Sequence, residues 1–153
     1  MISIKKIMVP TDFSPNAAYA YPYASELAKA FGAQIVLAYV SDLAAIPVGL
    51  GQFPVTWETL ELDIKDFAEK QFKEAWKAID KDIPVETRHL EGTPFVELLQ
   101  LAKDEAADVI IMATHGHTGI QHLLLGSTAE KIIRKAPCPV LTVHPGERKF
   151  VLP

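Results

Sequence analysis

The sequence predicts an α/β domain built on a parallel sheet with helices on both faces. Three observations carry that expectation. Short, unbroken runs rich in β-branched residues, such as Val109-Ile110-Ile111-Met112-Ala113, read as strands buried on both sides. These runs alternate with stretches whose apolar residues recur at helical spacing, which is the pattern of a parallel sheet covered twice. From Asp108 to His144 the chain runs strand, glycine-containing loop, helix, strand, and such a βαβ unit closes right-handed.

The bulk numbers fit that class. The chain has 153 residues, 49% of them hydrophobic and 22% charged, enough for one ordinary domain with a sizeable core. Its net charge of −4 argues against a nucleic-acid partner, which would want a basic face. No apolar run reaches the ~18 residues of a membrane span. The start, Met1-Ile2-Ser3-Ile4-Lys5-Lys6, lacks the layout of a signal peptide. A single cysteine, Cys138, excludes an internal disulfide, so a cytoplasmic protein is expected. Between two prolines at the start of a strand, Cys138 reads as inert packing.

Taken in order, Ile4 to Val9 is a buried strand ended by Pro10. Thr11-Asp12-Phe13-Ser14-Pro15 turns into a helix, with Ser14 as N-cap and Pro15 as first helical residue. That helix runs to about Phe31 and ends on Gly32. Pro22 removes one of its hydrogen bonds and should kink it over the preceding turn. Gln34 to Val40 is the second strand. Ser41 to Thr56, with Pro47, Gly49, Gly51 and Pro54, is a loop of functional length. A long helix from Trp57 to about Asp80 buries Leu60, Ile64, Phe67, Ala68, Phe72, Ala75 and Ile79. Pro84 to Leu90 alternates as a strand near an edge. Gly92-Thr93-Pro94 opens a third helix, to about Glu105. Then come Val109–Ala113, the glycine loop, a helix from Ser127 to about Lys135, the Pro137-Cys138-Pro139 stop and the strand Val140–Val143.

The loop after Ala113 leaves the carboxyl end of its strand, where open α/β sheets bind ligands. It ends at a helix N-terminus, where free amides and the helix dipole favour an anion. A phosphate-sized site between Ala113 and Thr128 follows from the residues alone.

This stretch resembles the universal stress protein family. The nucleotide-binding branch carries a glycine, two residues, a glycine, nine residues, then glycine with serine or threonine. Here that spacing falls on Ala113, Gly116, Gly126 and Ser127, with alanine in place of the first glycine. Leu123-Leu124-Leu125-Gly126-Ser127, Ala136-Pro137-Cys138-Pro139-Val140-Leu141 and Lys6-Ile7-Met8-Val9-Pro10-Thr11-Asp12-Phe13-Ser14 resemble the family as well, so the likeness covers essentially the whole chain. It implies a Rossmann-like open five-stranded sheet in the order 3-2-1-4-5. It also implies one domain over residues 1–146 with a tail at 147–153. The switch point then lies between the first and fourth strands, and the Asp12 turn and the Ala113–Thr128 loop both leave that crevice.

The resemblance implies ATP as ligand, with ADP or AMP as the related alternatives, and Mg²⁺ or Mn²⁺ bridging the phosphates. Asp12 and the Val40 backbone would hold the adenosine; Ala113, Gly116, Gly126, Ser127 and Thr128 would hold the phosphates. Each residue also has a plainer reading. Asp12 suits a turn that bonds its own backbone. Gly116 and Gly126 suit turns at positive φ, as does Gly119, which is no part of the motif. Ser127-Thr128-Ala129-Glu130 is a capping box, so Ser127 suits an N-cap worth ~1 kcal/mol. Ala113 is strained by ~1 kcal/mol if its φ is positive, and otherwise narrows the approach by a methyl group.

His115, His117 and His122 invite a metal reading, but no carboxylate or cysteine in that loop completes a site, so solvated or backbone-bonded rings are expected. By resemblance His117 stands where a lysine or arginine is common, which makes it a phosphate partner. No lysine or arginine lies between Lys103 and Lys131, and there is no P-loop. A triphosphate would rest on amides, the helix dipole and its own metal ion. Hydrolysis needs a positioned base and charge stabilisation, and neither stands out, so at most a weak ATPase is expected. The competing expectation is a stress module that dimerises without nucleotide, which Ala113 favours. In either case the resemblance implies a homodimer through Val140–Val143, since exposed apolar edges are normally paired or covered.

Overall fold

A computed structural model describes residues 1–45, 57–115 and 125–144. Gly116, Gly119, His117, His122, most of the Ser41–Thr56 stretch and the tail from Gly146 lie outside the described residues. The elements run β1 (Lys6–Pro10), α1 (Pro15–Ala18), α2 (Ala20–Phe31), β2 (Gln34–Ser41), a short 3₁₀ turn (Leu43–Ala45), α3 (Trp57–Trp76), β3 (Val85–Glu91), α4 (Pro94–Asp104), β4 (Val109–Ala113), α5 (Ser127–Lys135) and β5 (Val140–Val143). The five strands form one sheet in the order β3-β2-β1-β4-β5. Every pair is parallel, with Ile7 opposite both Ile35 and Val109, and Ala113 opposite Val143. The chain therefore reverses its direction of travel across the sheet between β1 and β4.

The central strands are apolar throughout because both faces are covered. Ile7, Val9, Ile35, Leu37 and Ile111 pack beneath α2 and α3 with Ala24, Ala28, Ala68 and Phe72. Met8, Ala38, Val40, Ile110 and Met112 pack beneath α4 and α5 with Leu98, Leu101, Ala129 and Ile132. Each fully buried isoleucine contributes about 2 kcal/mol or more. On α5 the buried residues are Ala129 and Ile132, while Ile133 is exposed.

Two helices differ in detail from the sequence pattern. The first is divided at Tyr19, one turn ahead of Pro22. Proline has no N–H for the Ala18 carbonyl and its ring crowds that group, so the break falls where the missing bond would have been. The long helix ends at Trp76, with Lys77 to Asp80 in turns that still carry Ile79 into the core. Phe67, expected in the core from its helical spacing, is exposed, with its ring 6.1 Å from that of Phe13 and 6.5 Å from that of Tyr39. Gly32 closes α2 at φ 63°, the left-handed cap expected of it.

Candidate functional site

The carboxyl ends of β1 and β4 diverge, and each begins a turn held by short side chains. After β1, Thr11 N–H donates to the Ala38 carbonyl at 2.8 Å, which keeps the chain against β2 for one more residue. The Thr11 hydroxyl meets the Tyr21 hydroxyl at 2.6 Å and accepts from Phe13 N–H at 2.9 Å. Burial pushes the Tyr21 hydroxyl above its ordinary pKa, so it stays neutral and available as a donor. Phe13 sits at φ 62°, a conformation that costs about 1 kcal/mol outside glycine. Its ring is fixed by Tyr39 at 4.7 Å and Phe72 at 5.1 Å. Asp12 Oδ1 accepts from Ser14 N–H at 2.9 Å, so the plain turn reading of this aspartate is realised. Ser14 Oγ accepts from Ala17 N–H at 3.1 Å and caps α1 as the sequence predicts. The half-buried Asp12 carboxylate is thereby held at the mouth of the crevice.

After β4, Thr114 N–H donates to the Val143 carbonyl at 2.9 Å, and Gly126 N–H donates to the Thr114 carbonyl at 2.7 Å. Gly126 is thus pressed against the end of the strand. A Cβ there would stand 3.2 Å from the Thr114 carbonyl oxygen. Its φ is −71°, so the glycine is favoured by close approach and not by a left-handed turn. Gly126 is also the N-cap of α5, and no side chain caps this helix. Ser127 is the first helical residue, one place beyond the position at which the capping-box pattern puts it. Ala113 lies in extended strand with a buried methyl group, free of the positive-φ strain weighed above.

Between these two turns lies a cavity of about 250 Å³. Asp12, Val40, Ala113, Gly126, Ser127 and Thr128 all line it. Its remaining wall includes Thr11, Pro94, Leu98, Met112, Thr114 and His115. Pro10, Ala17, Val40, Leu98 and Met112 give it apolar lining. The uncapped first turn of α5 also lines it, at a helix end carrying partial positive charge. None of the described lining residues is a lysine or arginine.

Sequence reasoning missed several of these walls. Thr11 and Thr114 each directly follow a strand that ends at the switch point, a signal that was available. Pro94 and Leu98 arrive through the packing of α4 and carry no local signal. Among the described residues no group of three or more histidine, cysteine, aspartate or glutamate side chains is placed to hold a metal ion, and no helix is long and apolar enough to cross a membrane.

An open parallel sheet with a crevice at its switch point defines a class of small-ligand α/β proteins. Within that class, residues 3–144 match the model of the universal stress protein family. The chain belongs to that family. It is 37% identical over 140 residues to universal stress protein MJ0531 of Methanocaldococcus jannaschii, covering 91% of this chain and 81% of that one. Among solved structures, protein MJ0577 of the same organism superposes with a TM-score of 0.74 at 28% identity, over 96% of this chain and 100% of the other. A universal stress protein crystallised in complex with cAMP superposes with a TM-score of 0.66 at 24% identity, over 94% and 99%.

Proposed function

We propose that this chain is a regulatory module that binds an adenine nucleotide, ATP with Mg²⁺ or Mn²⁺, in the cavity between β1 and β4. The observation that carries the reading is convergence. Asp12, Val40, Ala113 and the Gly126-Ser127-Thr128 stretch are far apart in sequence and meet around one space. The cavity's chemistry fits the ligand. A flat base suits the apolar side formed by Val40, Leu98 and Met112, and Asp12 suits a ribose or adenine donor. Phosphate oxygens suit the α5 amides, where a side chain at residue 126 would press on the Thr114 carbonyl. Support also comes from the cAMP complex of a structural neighbour. The wall offers no cationic side chain among its described residues, so a divalent ion carried on the phosphates would supply the balancing charge. The described wall holds no paired base and cation, so slow hydrolysis or none is expected.

The test begins with the purified protein. It is denatured and any released nucleotide is identified by chromatography and mass, then the refilled protein is melted against ATP and Mg²⁺. Bound adenine nucleotide and a rising melting temperature, both lost in Gly126→Val, are expected. An empty protein that shows no shift at millimolar ATP would overturn the reading. A dimer through β5 accompanies it. β5 is an edge strand on which Leu141 is exposed, and pairing with a second copy would cover that edge. Sedimentation of Leu141→Asp should then give a lighter species than the wild type.

A further inference from the structure

The β4–β5 register brings together two histidines that are far apart in sequence. Ala113 pairs with Val143, and Thr114 N–H bonds the Val143 carbonyl, so His115 and His144 leave the sheet side by side. Their ring centroids are 5.6 Å apart at an interplanar angle of 70°. His115 also lines the cavity, on the side where an anionic ligand would meet α5. The Thr114 hydroxyl, on a buried residue, lies 2.9 Å from His115 Nδ1.

We propose that His115 and His144 form a two-imidazole site for a borderline transition-metal ion, Zn²⁺, Co²⁺ or Ni²⁺, at the rim of the cavity. Three features carry this. Two imidazoles on one tetrahedral ion, each with a ring nitrogen about 2.0–2.1 Å from the metal, place their centroids roughly 5 Å apart. The observed separation of 5.6 Å is close to that value. With Nδ1–H donated to the Thr114 hydroxyl, His115 presents Nε2 as the ligating nitrogen, and such an outer partner fixes both tautomer and ring orientation. The position is also one where positive charge is scarce, because no lysine or arginine occurs between Lys103 and Lys131. Two protein ligands leave coordination positions open toward the cavity, for water or an oxygen of an anionic ligand. Imidazole donors select these ions over Mg²⁺, which prefers oxygen.

The site is independent of the nucleotide reading, since it is tested with metal alone. The full chain is titrated with Zn²⁺ by calorimetry in excess Mg²⁺. One Zn²⁺ per chain is expected. His115→Gln and His144→Gln should each weaken binding about 10-fold or more, at least the cost of losing an outer-shell partner. His89→Gln should leave it unchanged, because that ring stacks on Tyr39 and meets the Ser41 hydroxyl elsewhere on the sheet. X-ray absorption of the Zn²⁺-loaded wild type needs no variant and should show two imidazoles in the coordination shell. Wild-type affinity in His144→Gln, absence of saturable binding, or fewer than two imidazoles would each overturn the proposal.

Discussion

The two ends of the sheet are held by different means. At the amino end, charge is spent on structure. Asp108 accepts Lys5 N–H at 2.7 Å and Lys6 N–H at 2.9 Å, clamping the entrance of β1 against that of β4. Glu105, just past α4, takes Lys6 Nζ at 2.7 Å and Arg88 at 2.9 Å, which ties β1, β3 and α4 together. Lys29, near the end of α2, reaches Asp80 beyond α3 at 2.6 Å. At the carboxyl end the contacts are hydroxyls on amides and rings: Thr11 with Tyr21, Ser14 with Ala17, Thr114 with His115. The contrast teaches that this fold closes its amino end with ionic ties and keeps the other end open, with main-chain donors available to a ligand.

Glu105→Ala gives the largest expected effect on stability. It strips Lys6 and Arg88 of their shared, mostly buried partner and should lower the unfolding free energy by about 2 kcal/mol in denaturant titration. Nucleotide affinity should stay at the wild-type value; a matching loss of affinity would break the separation of the two ends. Gly126→Ala makes the converse case. Its methyl group would press on the Thr114 carbonyl, costing about 1 kcal/mol of stability. Calorimetry should show ATP binding weakened by about tenfold, or 1.4 kcal/mol, or more.

Asp108→Asn is the subtlest. The amides of Lys5 and then Lys6 hold the Asp108 carboxyl below its ordinary value of 3.8. A depressed folded-state value means this stabilisation is present above the unfolded value and is lost as pH falls through the folded one. The wild type should therefore lose about 1 kcal/mol in strong acid that Asp108→Asn never had. Acid titrations of the two proteins, followed by circular dichroism, should converge as pH falls through the folded-state value.

How much of this was legible in the sequence depends on the range of the contact. The strands and their order followed from buried β-branched runs and the family pattern, because a strand covered on both faces leaves no polar alternation. Pro22 announced the break at Tyr19, since its missing N–H acts within one turn. Ser127 misled by one position: the S-x-x-E pattern fits the first helical residue as well as the cap, and the tight approach of Gly126 to Thr114 decides between them. The exposed Phe67 was beyond reach, because helical spacing says which residues share a face and not how far the sheet extends beneath them. The pairing of His115 with His144 was likewise invisible, being set by strand register.

The bond from Gly126 N–H to the Thr114 carbonyl has a practical consequence for protein engineering. It is a splice point. Whatever segment joins His115 to Leu125, its base is stapled by one main-chain bond that fixes β4 against α5. Replacing that segment with a longer one should cost only about 0.6 kcal/mol for each doubling of length. A segment grafted there should leave the melting temperature of the scaffold close to that of the parent.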